Sequence, residues 1–391
     1  MLLLAACTAL GPCSTLLLMP ALPAIRVDFG ATTAATQSVV SAFLFSLAVG
    51  MIFGGPLSDR YGRRPLILGG LVVVLLGSAL SAAAPTLGVL VLARVVQALG
   101  CATIGTVARA VVGDIYDDWR LARALANLTL VMMAATTISP FFGGLLTETW
   151  GWHSTFIVLI VLASATLFAC WRALPETRGV QHRGASFAQL GRSSIAVLRN
   201  PRFSAYLVDA GVIYAVYLVF ISIAPYVLAE MLHRPATDFG QYTLMISAGY
   251  FAGNLYVARR GRAGNMASIA RVGVLLQAAS AIVALGCVLL GWTHPAFWFV
   301  PMMPLAFAQG LALPHVMASA VQLSPGYAGV ASSLIGFGQQ AVAAISVQAM
   351  GLARTDTPLP MLWCCAALSL VSVATLYLLG SHAPARPAAQ E

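Results

Sequence analysis

Apolar runs long enough to cross a bilayer follow one another almost without a break along this chain of 391 residues. The hydrocarbon core is about 30 Å thick and a helix rises about 1.5 Å per residue, so a spanning helix needs roughly 20 apolar residues. Twelve segments meet that length, near 2–23, 37–57, 66–84, 87–108, 124–146, 153–173, 203–229, 239–258, 268–290, 296–319, 327–349 and 359–380. Lipid gives an exposed backbone amide no partner, so spanning structures are helices or closed barrels. Barrel strands of about 10 residues with alternating polarity do not fit these runs. Only 8% of the residues are charged, against about 25% in soluble domains. The expected fold is an all-α integral membrane protein with 12 transmembrane helices.

The basic residues fix the expected orientation. All 21 are arginine. Without lysine there is neither a phosphate-binding loop of the ATPase kind nor Schiff-base chemistry. If both termini are cytoplasmic, seventeen arginines fall on that side and three (Arg26, Arg234 and Arg354) on the other, a strong positive-inside bias. The net charge of +9 is thereby a matter of topology, and no nucleic-acid partner is expected. The stretch Leu4-Ala5-Ala6-Cys7 resembles a lipoprotein box. It lacks a positive region ahead of it, so the run is expected to be the first membrane helix. The seven cysteines and six histidines show no metal-ligand spacing. No cofactor or metal is expected, and no GxSxG or HExxH pattern suggests an enzyme.

The longest connection divides the spans six and six. The expected organisation is an N-terminal six-helix bundle (1–174), a cytoplasmic linker (175–202), a C-terminal six-helix bundle (203–380) and a cytoplasmic tail (381–391). Residues 186–198 read either as a short amphipathic helix on the inner leaflet or as an arginine-rich linker. Gly253–Arg262 faintly repeats Gly54–Arg64, as in secondary transporters built from two similar halves.

A few costly residues interrupt the apolar runs. GGPLSDRYGRRP, Gly54 to Pro65, gathers Asp59, Arg60, Arg63 and Arg64 around Gly54 and Gly62. The glycines permit close approach and a tight turn, and Asp59 is placed to pair with arginine or to cap a helix. The arginines alone would be explained by topology. Arg94 lies inside the fourth run, with Gln97 one turn on. It either snorkels to the interface or faces protein or water. Pro140 with Gly143 and Gly144 thins and kinks the fifth run. Asp209 lies several residues into the seventh run, either a buried titrating group or an interfacial one. Asp114 follows the fourth run and is expected to join a network with Arg109. Met132, Met133, Tyr214, Tyr217, Phe220, Gln309 and Phe337 are candidates to line a binding site, or else ordinary packing.

GGPLSDRYGRR (54–64) resembles the signature between spans 2 and 3 of the major facilitator superfamily. LARVVQALG (92–100), ARAVVGDIYDD (108–118), SPFFGGLL (139–146), PETR (175–178), MPALPAI (19–25) and GLALPHVMASA (310–320) are similar to its Bcr/CflA group of drug:proton antiporters. The resemblance implies two pseudo-symmetric six-helix bundles in the inner membrane and a monomer. It also implies alternating-access export of small amphipathic compounds against protons. It makes Gly54, Asp59, Arg60, Gly62, Arg63, Arg64, Arg109 and Asp114 a gate. Arg94, Gln97 and Asp209 become the proton-coupling set, and Pro140, Gly143 and Gly144 the antiporter motif. The pattern departs at Leu16, where relatives commonly carry an acid, which leaves Asp209 as the substitute. Export of a single metabolite, or a sensor on the same scaffold, are the other functional readings.

Overall fold

The computed structural model describes residues 1–116, 118–177, 187–261, 266–292, 294–353 and 357–380. Arg178, Arg183, Arg262, Arg354 and Arg386, and the expected tail 381–391, lie outside the described residues. Fifteen α-helices follow in order: α1 (Leu2–Leu16), α2 (Leu22–Asp28), α3 (Thr33–Tyr61), α4 (Arg63–Ala82), α5 (Leu87–Ile115), α6 (Asp118–Trp150), α7 (His153–Ala173), α8 (Phe187–Leu198), α9 (Pro201–Glu230), α10 (Ala236–Arg260), α11 (Met266–Leu289), α12 (Ala296–Phe299), α13 (Met302–Gln322), α14 (Ala328–Met350) and α15 (Leu359–Gly380). No strand occurs among the described residues.

Caps and prolines set the boundaries. Thr32 accepts from the Ala35 amide ahead of α3 at 3.2 Å, and Thr86 from the Val89 amide ahead of α5 at 3.3 Å. Asn200 does the same for α9 through the Arg202 amide at 3.1 Å, with Pro201 in the first turn. Each cap satisfies one of the amides that a helix start leaves open. Pro20 and Pro23 break the first run into α1, a 3₁₀ turn at Met19–Ala21, and α2. A single residue, Gly62, joins α3 to α4.

Eleven helices, with α1–α2 and α12–α13 each taken as one, are long and apolar enough to cross a membrane among the described residues. The chain is a multi-pass membrane protein. The count of twelve expected from sequence includes 239–258, which folds as α10. At 25 residues α10 has the length, but Asp238, Gln241, Asn254, Arg259 and Arg260 make it more polar than the rest. The fourth run is also longer than expected. Buried Ala108, Val111 and Val112 carry α5 on to Ile115, so Arg109 and Asp114 stand on a helix.

Helices α1 and α3–α7 pack among themselves, as do α9–α11 and α13–α15. The main contacts between the two sets are α3 on α14 and α6 on α10. Small residues bring helices together within a set: a Cβ added at Gly77 of α4 would lie 2.5 Å from the Gln97 amide of α5. One end of the assembly holds Arg60, Arg63, Arg64 and Arg202, and is called the arginine-rich end below. The other carries the turns after α2, α4, α6 and α9 and is called the far end.

Candidate functional site

The turn at the arginine-rich end is built around Gly62. Its φ of +99° is one that side-chain-bearing residues rarely adopt, and a Cβ there would lie 2.7 Å from Glu176 Oε2. That carboxylate caps α4: the Arg63 amide donates to Oε1 at 2.9 Å and the Arg64 amide to Oε2 at 3.2 Å. A negative charge at a helix start is favoured by its dipole. The Arg63 side chain is buried and donates from Nη1 to Asp59 Oδ1 at 2.6 Å and from Nε to Asp114 Oδ2 at 2.9 Å. Ser58 Oγ accepts from Nη1 as well, and Thr177 Oγ donates to Asp114 at 3.2 Å. Arg63 thus ties α3, α4 and α5, while Glu176 brings in the segment after α7. Arg64 donates to the Trp171 carbonyl at 2.8 Å. Arg60 is exposed, its guanidinium 5.4 Å from the Tyr61 ring centre. Gly54 is buried where α3 meets Thr106 of α5.

Two corrections follow. Asp114 pairs with Arg63 and not with Arg109. Residues five apart on a helix are turned about 140° from each other, so Arg109 looks outward while Asp114 looks to α4. Glu176 was missed as a site residue because its partners are more than 100 positions away, |i−j| being 113 for Arg63.

Arg94 is wholly buried, at 0% exposure, which excludes snorkelling. Its Nη1 donates to Gln97 Oε1, and Gln97 Nε2 donates to Ser78 Oγ at 2.7 Å. The guanidinium carbon lies 3.9 Å from the Phe43 ring centre, a cation–π distance. Nε makes a long bond of 3.4 Å to the Val39 carbonyl, and Nη2 has no partner among the described residues. Asp209 is buried to the same degree, so it faces neither solvent nor lipid. Its Oδ1 accepts from Ser372 Oγ of α15 at 2.6 Å, and Oδ2 has no partner among the described residues. Arg94 is seven residues from the far-end start of α5, and Asp209 eight from the arginine-rich start of α9. At about 1.5 Å per residue they lie at opposite depths, on the order of 20 Å apart along the normal.

Pro140, Gly143 and Gly144 form a bearing on α6. Gly143 lies against the Leu17 carbonyl and Gly144 against the Ala236 carbonyl. From the other side, a Cβ at Gly240 would meet Phe141 Cα at 2.6 Å. The thinned part of α6 is therefore where it passes between the first helix and α10.

A seam of bonds joins the two sets of helices at the far end. Arg26 pairs with Glu230 at 2.9 Å. Gln37 donates to the Ser222 carbonyl at 2.9 Å, and Ser41 to Gln348 Oε1 at 2.6 Å. Gln348 donates to the Ala34 carbonyl at 3.1 Å, and Thr237 to Glu148 at 2.8 Å. Sequence gave no sign of these pairs.

The candidate lining residues separate. Phe220 is packing: it sits in a buried aromatic cluster, its ring centre 5.1 Å from Phe299 and 6.2 Å from Trp298. Gln309 is buried and donates to the Ile213 carbonyl at 3.1 Å, and Met133 is buried. Met132, Tyr214, Tyr217 and Phe337 are half-buried. Tyr214 lies beside Tyr217, Tyr250 and Gln340, and Tyr217 faces Ser247. All fall near the middle of their helices. Gly336, one turn from Gln340 on α14, lies against Met51 of α3, so this face of α14 looks across to the first set of helices. Tyr250 and Gln340 were not singled out from sequence, since polar residues on amphipathic helices look alike until the phase of packing is known.

The Major Facilitator Superfamily family model matches residues 4–347. The chain belongs to that superfamily. It is 32% identical over 207 residues to multidrug resistance protein D of Escherichia coli (strain K12), covering 53% of this chain and 52% of the relative. The match thus spans about half the length of that protein. It is 26% identical over 375 residues to a bicyclomycin resistance protein homolog of Haemophilus influenzae, covering 93% of this chain and 92% of the relative. A crystal structure of a D-xylose-proton symporter superposes with a TM-score of 0.75 at 12% identity, over 98% of this chain and 97% of that one. At that identity the likeness speaks for the fold.

Proposed function

We propose that the protein is a secondary active transporter that exports small amphipathic compounds, driven by inward proton flow. Its halves, residues 1–174 and 203–380, rock about a site near mid-depth, and it works as a monomer in the inner membrane. α10 counts as the twelfth span in this reading. The arginine-rich end faces the cytoplasm, in keeping with seventeen arginines against three. Relatives named for multidrug and bicyclomycin resistance support drug export.

The observation that carries the reading is Asp209. A carboxyl group with 0% exposure, in a helix among lipid-embedded helices, is costly to keep unless it works. One oxygen is held by Ser372 and the other has no partner among the described residues. That is an arrangement in which a proton arrives and leaves without rebuilding the site. The far-end seam supports a state sealed on the outside, with the substrate site reached from the cytoplasm. Proton release there and substrate loading precede the switch, and the Arg63 cluster holds the first half as a unit while it moves.

Inside-out vesicles carrying the protein test this. An amphipathic dye should accumulate when the lumen is made acidic, and a protonophore should abolish the accumulation. Accumulation that ignores the protonophore removes proton drive, and no movement under any gradient removes transport.

A further inference from the structure

Which compounds such a site takes is written in the groups it presents and the charges it lacks. Near mid-depth the second half offers three tyrosine hydroxyls, Tyr214, Tyr217 and Tyr250, with Gln340 beside them. These four side chains are half-buried. Gln340 Oε1 has no hydrogen-bond partner among the described residues. Gln340 bonds the Tyr214 hydroxyl through its amide group, and its free carbonyl oxygen is open to a ligand's donor. Each tyrosine both donates and accepts. Across from them the half-buried thioether of Met51 lies against Gly336, and one turn of α14 carries Phe337 beside Gln340, which gives a deformable apolar wall.

Charge is arranged against one class of ligand. Among the described residues, Asp28, Glu148, Glu230 and Asp238 lie at the far end, and Asp59, Asp114 and Glu176 at the arginine-rich end. Asp209 is the acid inside the spans, and it is sealed from the seam with Ser372 on one oxygen. No carboxylate among the described residues faces the tyrosines. Arg94 is sealed inside the first half, toward the far end, with Gln97 and a carbonyl as its hydrogen-bond partners. A cation brought to mid-depth gives up its hydration and meets no carboxylate that faces it among the described residues. Tyrosine faces attract cations, but that attraction is smaller than the cost of desolvating a charge without a counter-ion.

Resting on the export reading above, we propose that Tyr214, Tyr217, Tyr250 and Gln340 select uncharged amphiphiles that both donate and accept hydrogen bonds, such as hydroxylated amides, over lipophilic cations. The ligand's apolar body lies on the methionine and phenylalanine side. Its hydroxyl or amide head bonds the tyrosines and gives a proton donor to Gln340.

Two dansyl probes alike except for the head group, a neutral diol and a trimethylammonium, provide the test. Each is followed by transport into acid-loaded vesicles and by fluorescence binding to the purified protein. The wild type should move and bind the diol at least about tenfold better. A triple Tyr214→Phe, Tyr217→Phe, Tyr250→Phe variant keeps ring volume and should lose about tenfold in the diol, as expected when hydroxyl partners are removed. Gln340→Glu supplies the missing carboxylate and should gain the trimethylammonium probe. Equal handling of the two probes by the wild type overturns the selectivity with transport intact. A triple variant that handles the diol like the wild type removes the tyrosines from it. If neither probe is transported, the export reading falls, and binding still decides the preference.

Discussion

Arg26 and Glu230 meet at 2.9 Å across the far end, one from the helix that follows the first proline break and the other from the last residue of α9. The side chains are about a quarter exposed, 27% and 26%. The pair joins the two sets of helices where Gln37, Ser41 and Glu148 also cross. A partly exposed pair of this kind contributes up to ~1 kcal/mol. That is enough to shift a conformational balance several-fold without threatening the fold.

The first prediction follows from that pair. Glu230→Gln and Arg26→Gln should each raise labelling of a cysteine placed at Ala34 by an impermeant maleimide from the far side, several-fold over the wild type. The charge-exchanged double variant, Arg26→Glu with Glu230→Arg, should return toward the wild-type rate. Raised salt should weaken the wild-type protection, since exposed pairs are screened. Labelling that is the same in all four proteins would show that the pair does not hold the seam.

At the other end the geometry is more demanding. Arg63 serves Asp59, Ser58 and Asp114 at once. A lysine carries one point charge and no planar fork, so Arg63→Lys should keep at most one of these bonds. Transport is expected to fall at least tenfold while the protein still inserts, and thermal stability in detergent should drop by about 1–3 kcal/mol equivalent. Gly62→Ala should be more damaging, since it strains a φ of +99° and crowds the Glu176 cap. Thermal unfolding and dye efflux on matched expression levels check both.

These ends show what the sequence discloses. The apolar runs were readable because lipid forces each span to satisfy its own backbone, and the turn at Gly62 because glycine is the residue for that backbone. α10 is less legible as a span because its polar residues dilute the run. The pairs Arg63–Asp114, 51 positions apart, and Arg26–Glu230 were not readable, since they depend on which face of a helix meets which neighbour. The same ignorance of phase put Arg109 with Asp114 and placed Phe220 in the lining. Arg94 and Asp209 could be singled out because a charge within an apolar run is conspicuous whatever the packing. Gln97, one turn on, could be read as a partner for Arg94; the full burial of Arg94 and Asp209 and the bond from Ser372 could not.

Arg94 offers a separation of stability from function. Its removal as Arg94→Met relieves a buried charge that no acid among the described residues of its own half neutralises, and that relief is stabilising. It also leaves Gln97 Oε1 without its donor, which costs about 1–3 kcal/mol. The two effects oppose, so the variant should unfold within a few degrees of the wild type. Transport is expected to fall at least about a hundredfold if the charge acts in the cycle. Near-normal transport in a stable Arg94→Met protein would reduce the residue to packing against Phe43.

Asp209→Asn is the last and sharpest case. The amide keeps the volume and an oxygen to accept from Ser372 Oγ, and Asn needs no desolvation of a charge, so folding should be preserved. What is lost is the ability to take up and release a proton inside the span. Exchange of labelled for unlabelled substrate down no gradient should continue, because it needs the rocking of the halves and not a proton. Uphill transport driven by an acid lumen should vanish, and the exchange rate should become flat with pH where that of the wild type is not. Ser372→Ala, which removes the hydrogen bond and leaves the carboxyl group, should retain uphill transport with a displaced pH profile. An Asp209→Asn protein that still concentrates its substrate against a gradient would move the proton site elsewhere.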